Sequence, residues 1–386
     1  MTSLTVGAAL AQTGIYALQG QQALQGLRLW VENTNAQGGL FVPELRRQIP
    51  LQLLTHDDHS RRADVERLVE RLLTSDRVHC LIGPYSSGLT QAAAAVAEGH
   101  QKVLWNHGGS SDAIMQQGFR WAIHLPTPAS GYLSGLFACL LQHGARAEPV
   151  AIVQRRRGTF AAEVASGARQ QAERHAFSLL PTFFYPEDVN QIPALARDLS
   201  AAGPGLIILV GRFDDDVMLA HSLTENLLTL KTAAAVATPM QAFWGDLRER
   251  ADGWIGPSQW ELGAEGSPDV GPSSAAFVER FRRRFGQLPD YPAAQAYAAG
   301  LIFQHCVSLA GSCDDASLHA AAAQLSCRTF YGDFRLDPET GIQVGHETVL
   351  VQWHGEEKKV IWPAGMAEAR LMYPKPSAPP LPLGED

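Results

Sequence analysis

Short apolar runs alternate with longer stretches whose apolar positions recur every three or four residues, from the amino end to about residue 250. A run of this kind bounded by turn residues reads as a buried strand, and the three-to-four spacing as a helix with one face in a core. Leu4–Leu10 is the first strand; after the loop Ala11–Gly20 a helix presents Ala23, Leu24, Leu27, Trp30 and Val31 on one face. Ile49–Leu54 is the second strand, and Val65, Leu68, Val69, Leu72 and Leu73 form the core stripe of a helix over about Arg61–Thr74. Two further strand–turn–helix units follow: Val78–Ile82 with the turn Gly83–Gly88, and Lys102–Asn106 with the turn His107–Ser111. Such alternation implies right-handed crossovers and a parallel sheet. Ligands of such sheets bind beyond the carboxyl ends of the strands, where both turns lie.

The pattern pauses at Trp121–Pro128 and restarts. A helix is expected over Ser130–His143, a strand at Val150–Val153, a helix to about His175 and a strand at Ser178–Tyr185. Ile192–Ala201 reads as a helix, Leu206–Val210 as a buried strand ending in Gly211-Arg212-Phe213, and another helix follows Asp214–Asp216. After Trp254–Pro257 come helices, with Phe277, Phe281 and Phe285 on one face and a small-residue stretch over Pro292–Ala310. The end turns to strands at Gly332–Asp337, Thr348–His354 and Lys359–Trp362, before the proline-rich tail KPSAPPLPLGED, expected to fray. The fold class is therefore α/β, with two open, Rossmann-like parallel-sheet lobes.

Composition narrows the function. The 386 residues are 46% hydrophobic and 18% charged with a net charge of -8, an ordinary globular balance without the basic face that nucleic acid needs. No run reaches the roughly 18 apolar residues of a membrane helix. MTSLTVGAAL lacks a basic leader, so either the chain is cytoplasmic or an export signal has been removed. Among the five cysteines no spacing suits zinc, and Cys313 with Cys327 is a disulfide option only in an oxidising compartment.

The turns carry the chemistry. Both supply small residues that admit close backbone approach and hydroxyls that cap a helix, beside helix ends that favour an anion such as a carboxylate. His56-Asp57-Asp58-His59 is the most metal-like cluster, but adjacent residues do not readily face one ion, and acids after a strand commonly cap the next helix. No metal site or cofactor is expected. Nucleophile-elbow, phosphate-loop and dinucleotide motifs are absent. Ser86, Ser87, Ser110 and Ser111 have His107 nearby, yet a strand-end histidine beside a ligand reads as a binding group, and no catalytic residue is assigned.

The series GAALAQTG, VENTNAQGGL, THDDHS, CLIGPYSS, GLTQAAAAVAE, PAAQAYAAGLI and YGDFRLDPETG, ordered over Leu4 to Pro363, resembles the type I periplasmic binding proteins. The nearest branch is the leucine/isoleucine/valine- and amide-binding one of ABC importers. The resemblance implies two lobes joined by three crossovers, near Ile123–Pro126, Trp254–Pro257 and Tyr331–Phe334, with ligand in the cleft. The lobes would be 1–123 with 257–331 and 124–256 with 332–365, followed by a tail at 366–386.

By the same resemblance Ser87 supplies the first-turn hydroxyl, flanked by Tyr85 and Ser86, and Gly108 and Ser110 supply the second turn's carbonyl and hydroxyl. Tyr16 places an aromatic over the ligand; Phe160 sits where an aromatic closes the cleft; Arg212 and Phe213 follow a strand that faces it. Asp246 is the candidate partner for a ligand ammonium, although Gly245-Asp246-Leu247 departs from the family's Gly-Pro-Glu. Trp105-Asn106-His107 and Arg155-Arg156-Arg157 are also unusual and point to a more anionic or aromatic ligand; taken alone, the arginine run reads as a solvated loop face.

The implied function is capture of a small solute (an amino acid, amide or aromatic carboxylate) by cleft closure and its delivery to an ABC permease. The protein would be periplasmic or extracellular, its export signal removed. It would not be an enzyme. The alternative is a sensor of amides or amino acids acting through a partner protein.

Overall fold

The computed structural model describes residues 2–145, 148–225, 230–264 and 266–377. The chain divides into two units, 1–128 with 265–347 and 129–264 with 348–386. The segment 332–347, expected in the second lobe, thus belongs with the first. Its Gln343 side chain donates to the Leu125 carbonyl at 3.3 Å, and His346 Nδ1 meets the Thr127 hydroxyl at 2.7 Å.

The first unit opens with β1 (Leu4–Leu10), α1 (Ala17–Ala36), β2 (Leu40–Val42), β3 (Arg47–Ile49), β4 (Leu51–Asp57) and α2 (Arg62–Thr74). It continues with β5 (Cys80–Ile82), α3 (Ser87–Gly99), β6 (Leu104–Asn106), α4 (Asp112–Gln116) and β7 (Ala122–His124). The parallel sheet has the order β4-β1-β5-β6-β7. After β1 the chain adds a strand on one side and then all later strands on the other. The loops leaving β1 and β5 therefore diverge to opposite faces and open a crevice between them. The run read as one strand over Ile49–Leu54 is broken at Pro50, which has no N–H for a ladder. The part before it pairs back on Leu40–Val42 as a hairpin.

The second unit contributes α5 (Leu136–Gln142), β8 (Val150–Gln154), α6 (Thr159–Arg174), β9 (Phe183–Phe184), α7 (Ile192–Ala202) and β10 (Leu206–Val210). It adds α8 (Phe213–Glu225), β11 (Thr232–Ala235), α9 (Gln241–Leu247) and β12 (Trp254–Ser258). The helix expected from Ser130 is regular only from Leu136. Gly135 lies so close to Trp362 that a Cβ there would sit 2.2 Å from the indole nitrogen. The strand expected over Ser178–Tyr185 shrinks to Phe183–Phe184 plus a lone bridge between Leu179 and Val150, with Pro181 interrupting the ladder.

The chain then returns to the first unit with α10 (Ser274–Phe285), α11 (Tyr291–Ala310), α12 (Asp315–Gln324) and the hairpin of β13 (Ser326–Thr329) and β14 (Gly332–Arg335). α11 packs on α1 because glycines allow it. A Cβ on Gly26 would sit 2.1 Å from the Ala293 carbonyl oxygen, and one on Gly300 would sit 2.1 Å from the Trp30 ring. Phe303 meets the rings of both Trp30 and Trp105, covering one face of the sheet. On the other face α2 and α3 close a core of Val65, Leu68, Leu72, Leu89, Ala93 and Leu104.

Finally β15 (Val349–His354) and β16 (Glu357–Trp362) complete the second sheet, order β16-β15-β12-β11-β10-β8-β9, with the β12–β15 and β15–β16 pairs antiparallel. Apolar clusters line both its faces. Lys358 pairs with Glu261 at 2.8 Å and donates to the Pro239 carbonyl, with side chains only 7% and 12% exposed. The described part of the expected tail is docked. Leu371 is buried, Gln352 exchanges two hydrogen bonds with the Met372 backbone, and Lys375 donates its N–H to the Lys231 carbonyl. Residues 378–386 of the tail lie outside the described residues.

Candidate functional site

At the carboxyl edge of the first sheet, the turns after β5 and β6 are joined by a parallel bridge between Tyr85 and Gly108. The Ser87 hydroxyl accepts from the backbone N–H of Ser110 at 3.3 Å and of Ser111 at 3.0 Å. A hydroxyl has two lone pairs and one hydrogen. With both lone pairs engaged, the hydrogen is what Ser87 has left to offer. It sits in the first turn of a thirteen-residue helix, whose dipole favours an anion there. Ser86 holds φ at 85°, a strained value for a residue with a Cβ, while its Oγ accepts from Leu89 N–H.

The second turn is built on Asn106, which is fully buried. Its Oδ1 accepts from Gly108 N–H at 3.1 Å and Gly109 N–H at 2.8 Å, and its Nδ2 donates to the Gly109 carbonyl at 2.6 Å. The same Nδ2 is 2.9 Å from His124 Nδ1. Burial lowers His124 to about 4, so the ring is neutral near pH 7 and accepts. Burial also takes His107 to about 4, partly offset by the Gly83 backbone, and neither ring nitrogen pairs with a serine hydroxyl. The glycines are sterically required. A Cβ on Gly108 would stand 2.8 Å from the Pro84 carbonyl oxygen, and one on Gly109 would stand 2.5 Å from Thr90.

Three tyrosines border these turns. The Tyr85 hydroxyl is 2.7 Å from that of Tyr291, at the start of α11, and the Tyr16 and Tyr85 rings meet edge-on at 6.1 Å. Tyr16 is set by its N–H bond to Ser60 Oγ, which itself donates to the Thr13 carbonyl. Asp57 fixes this loop. Burial would raise its carboxyl, but hydrogen bonds from the amides of His59, Thr13 and Gln12 and the Thr13 hydroxyl hold it below its ordinary value. The metal-like cluster is divided among such roles: His56 faces Asp76 at 3.3 Å, and His59 lies near Asp64 at 3.5 Å. Asp58 is buried and raised to about 6 by desolvation.

Tyr16, Tyr85, Ser86, Ser87, Gly108 and Ser110 thus come together at one edge of the first unit. Phe160, Arg212, Phe213 and Asp246 lie in the second unit. Phe160 is half-buried at the start of α6, edge-on to Tyr132 at 5.4 Å. Arg212 is exposed, its backbone N–H bonded to Asp215 Oδ2 at 3.0 Å. Phe213 opens α8 against the core, and Asp246 is exposed on α9.

In the arginine run Arg156 and Arg157 are exposed, as a solvated loop face would have them, and Arg155 departs from it. Arg155 pairs with Asp215 at 2.5 Å, Arg156 lies over the Phe184 ring at 4.0 Å, and Arg157 faces Glu187. Beside it Asp216 is fully buried, accepting from the Tyr185 hydroxyl at 2.7 Å and from the amides of Gly211 and Ala237. Burial raises its carboxyl to about 7. The sequence marks Asn106 and Arg155 as unusual but not as a hub and a buried ion pair, and it does not single out Tyr291 or Asp216. Their signals, a helix-opening tyrosine and buried polar residues at strand ends, acquire meaning only once distant segments meet. All five cysteines are free.

Comparison with known proteins agrees with this architecture. Residues 3–358 match the model of the periplasmic binding protein family. Among solved structures, the branched-chain amino acid transporter substrate-binding protein LivJ from Streptococcus pneumoniae, in complex with isoleucine, is 16% identical with a TM-score of 0.79, over 94% of this chain and 100% of that one. The leucine-binding protein LivK from Thermotoga maritima is 14% identical with a TM-score of 0.80, over 92% and 97%. A solute-binding protein of an ABC transporter from R. palustris, in complex with benzoate, is 19% identical with a TM-score of 0.78, over 97% and 98%. At such identities the structures establish the fold, that of type I periplasmic binding proteins. By the family match over nearly its whole length, the chain belongs to the periplasmic binding protein family.

Proposed function

We propose that the chain is the substrate-binding component of an ABC importer and captures a small carboxylate-containing solute, such as a branched-chain or other amino acid, an amide relative or an aromatic acid. The observation that carries this reading is the Ser87 hydroxyl, whose lone pairs are taken by Ser110 and Ser111. Its hydrogen is left to donate at the head of α3, where a carboxylate is the matching acceptor. Similar structures hold isoleucine, benzoate and 3,4-dihydroxybenzoic acid, and a carboxylate is common to all three. On this reading Phe160, Arg212, Phe213 and Asp246 remain the further candidate ligand contacts, a permease receives the solute, and the protein works in the periplasm or outside the cell. No turnover of ligand is expected.

A micromolar affinity requires about -8 kcal/mol, within reach of a few charge-assisted hydrogen bonds and aromatic contact. The test is a thermal-shift screen of amino acids, amides and aromatic acids, followed by calorimetry of the hit on Ser87→Ala and Ser110→Ala. One ligand per chain, compaction in small-angle scattering and loss of affinity in both variants are expected. Full-strength binding by both variants would refute the site.

A further inference from the structure

The first unit has a second concave place. Between the β13–β14 hairpin and the segment 267–269 lies a cavity of about 320 Å³, at the small end of the range that ligand pockets occupy. Its lining shares no residue with the turns after β5 and β6, and Val344 is its one aliphatic side chain. The walls are held by bonds that leave the space itself open. Gln343, 2% exposed, accepts from the amides of Arg335 at 3.1 Å and Gly345 at 2.8 Å and donates to the Asp333 carbonyl at 3.4 Å. The Asp269 N–H donates to the Arg328 carbonyl at 2.8 Å, and its Oδ2 accepts from the Arg328 N–H at 2.9 Å. A Cβ on Gly345 would stand 2.9 Å from the Arg335 nitrogen, so that wall admits no side chain.

Four charged side chains line this cavity: Asp269, Arg328, Asp333 and Arg335. Arg328 and Asp333 satisfy each other through two parallel contacts of 2.6 and 2.9 Å, and the guanidinium holds the carboxyl below its ordinary value. Arg335 has no such partner. Among the described residues its guanidinium joins no hydrogen bond or ion pair, and neither do the hydroxyls of Ser267 and Ser326 or the Oδ1 of Asp269. What remains around the space is one cation, one carboxylate oxygen and two hydroxyls. We infer that this cavity is a second ligand site, which takes a compact zwitterion with its acid group on Arg335 and the serine hydroxyls and its ammonium on Asp269. The charges of the lining cancel, so a lone anion would meet Asp269 without compensation, and a lone cation would meet Arg335. A branched or aromatic side chain finds no apolar wall beyond Val344, so the ligand is polar throughout, unlike the apolar solutes proposed for the serine turns. Walls fixed in advance lower the ordering cost of binding. The inference stands independently of the importer reading.

Amide NMR titrations of the whole chain with glycine, β-alanine, taurine, acetate and methylammonium test this. Saturable shifts of the Asp269, Ser326 and Gly345 amides are expected with at least one of the three zwitterions. That zwitterion should bind at least about threefold more tightly than acetate or methylammonium, the factor one exposed charge pair supplies. Arg335→Gln should weaken it at least about fivefold, and Arg335→Lys, which keeps the charge, should restore part of the loss. Asp269→Asn should bring its affinity down to that of acetate, and melting curves confirm that each variant is folded. Shifts confined to the turns after β5 and β6 would place the binding at the serine site and overturn the inference. Acetate binding as tightly as the best zwitterion would overturn it too, as would unchanged affinity in Arg335→Gln. Failure of all five probes to move these amides would overturn the second site and leave the importer reading standing.

Discussion

The Ser87 hydroxyl accepts the backbone N–H of Ser111 at 3.0 Å, so one side chain both clamps the neighbouring turn and turns its own hydrogen outward. Removing it has two consequences. Ser87→Ala is expected to cost about 1–3 kcal/mol of stability, because two buried amides lose their acceptor. It should also lower ligand affinity at least about tenfold. Urea unfolding and calorimetry on the same preparation check both.

Gly109→Ala should destabilise the first unit by about 1–3 kcal/mol, since the new Cβ would stand 2.5 Å from Thr90 and the turn must shift. Binding should fall with it, as that shift displaces the Ser110 amide from Ser87. Gly88→Ala is the control: a Cβ there meets nothing within 4 Å.

Lys358→Met should cost about 3–5 kcal/mol by leaving the Glu261 carboxylate buried without its cation. Burial already pushes that carboxyl up, with Lys358 opposing. The double change with Glu261→Leu should recover most of the loss. Thermal melts of the two singles and the double provide the cycle.

Asp216 makes stability depend on pH. Its folded carboxyl titrates at about 7, against an unfolded value of 3.8. Between the two, the folded chain keeps a proton that the unfolded chain has released. Its contribution is therefore complete below pH 4, falls as pH rises and is gone above about 7. The total is at most roughly 4 kcal/mol. Denaturation midpoints of the wild type relative to Asp216→Asn, from pH 4 to 8, should decline across that window and level off above it.

Much of the fold is legible in the chain because its signals are local. The stripe of Val65, Leu68, Val69 and Leu72 makes a helix, and the runs at Leu4–Leu10 and Leu206–Val210 make central strands. Two misreadings come from weighing hydrophobicity above a local proline: Pro181 and Pro50 interrupt runs that otherwise read as strand. At the site, the serine turns stand out as small-residue punctuation after strands. Tyr291 does not, since it reaches Tyr85 across 206 positions of sequence. Asn106 stands out only as part of an unusual lead-in, and its role as the buried hub of the second turn shows only in three dimensions.

The glycine seat for Trp30 sets a timetable for synthesis. Trp30 is fully buried against Gly300, which is made 270 residues later. At about 5–20 residues per second, a ribosome leaves that indole uncovered for roughly 10–60 s. Until α11 emerges, the apolar face of α1 is open to chaperones, and the first unit, though first to be translated, is finished late.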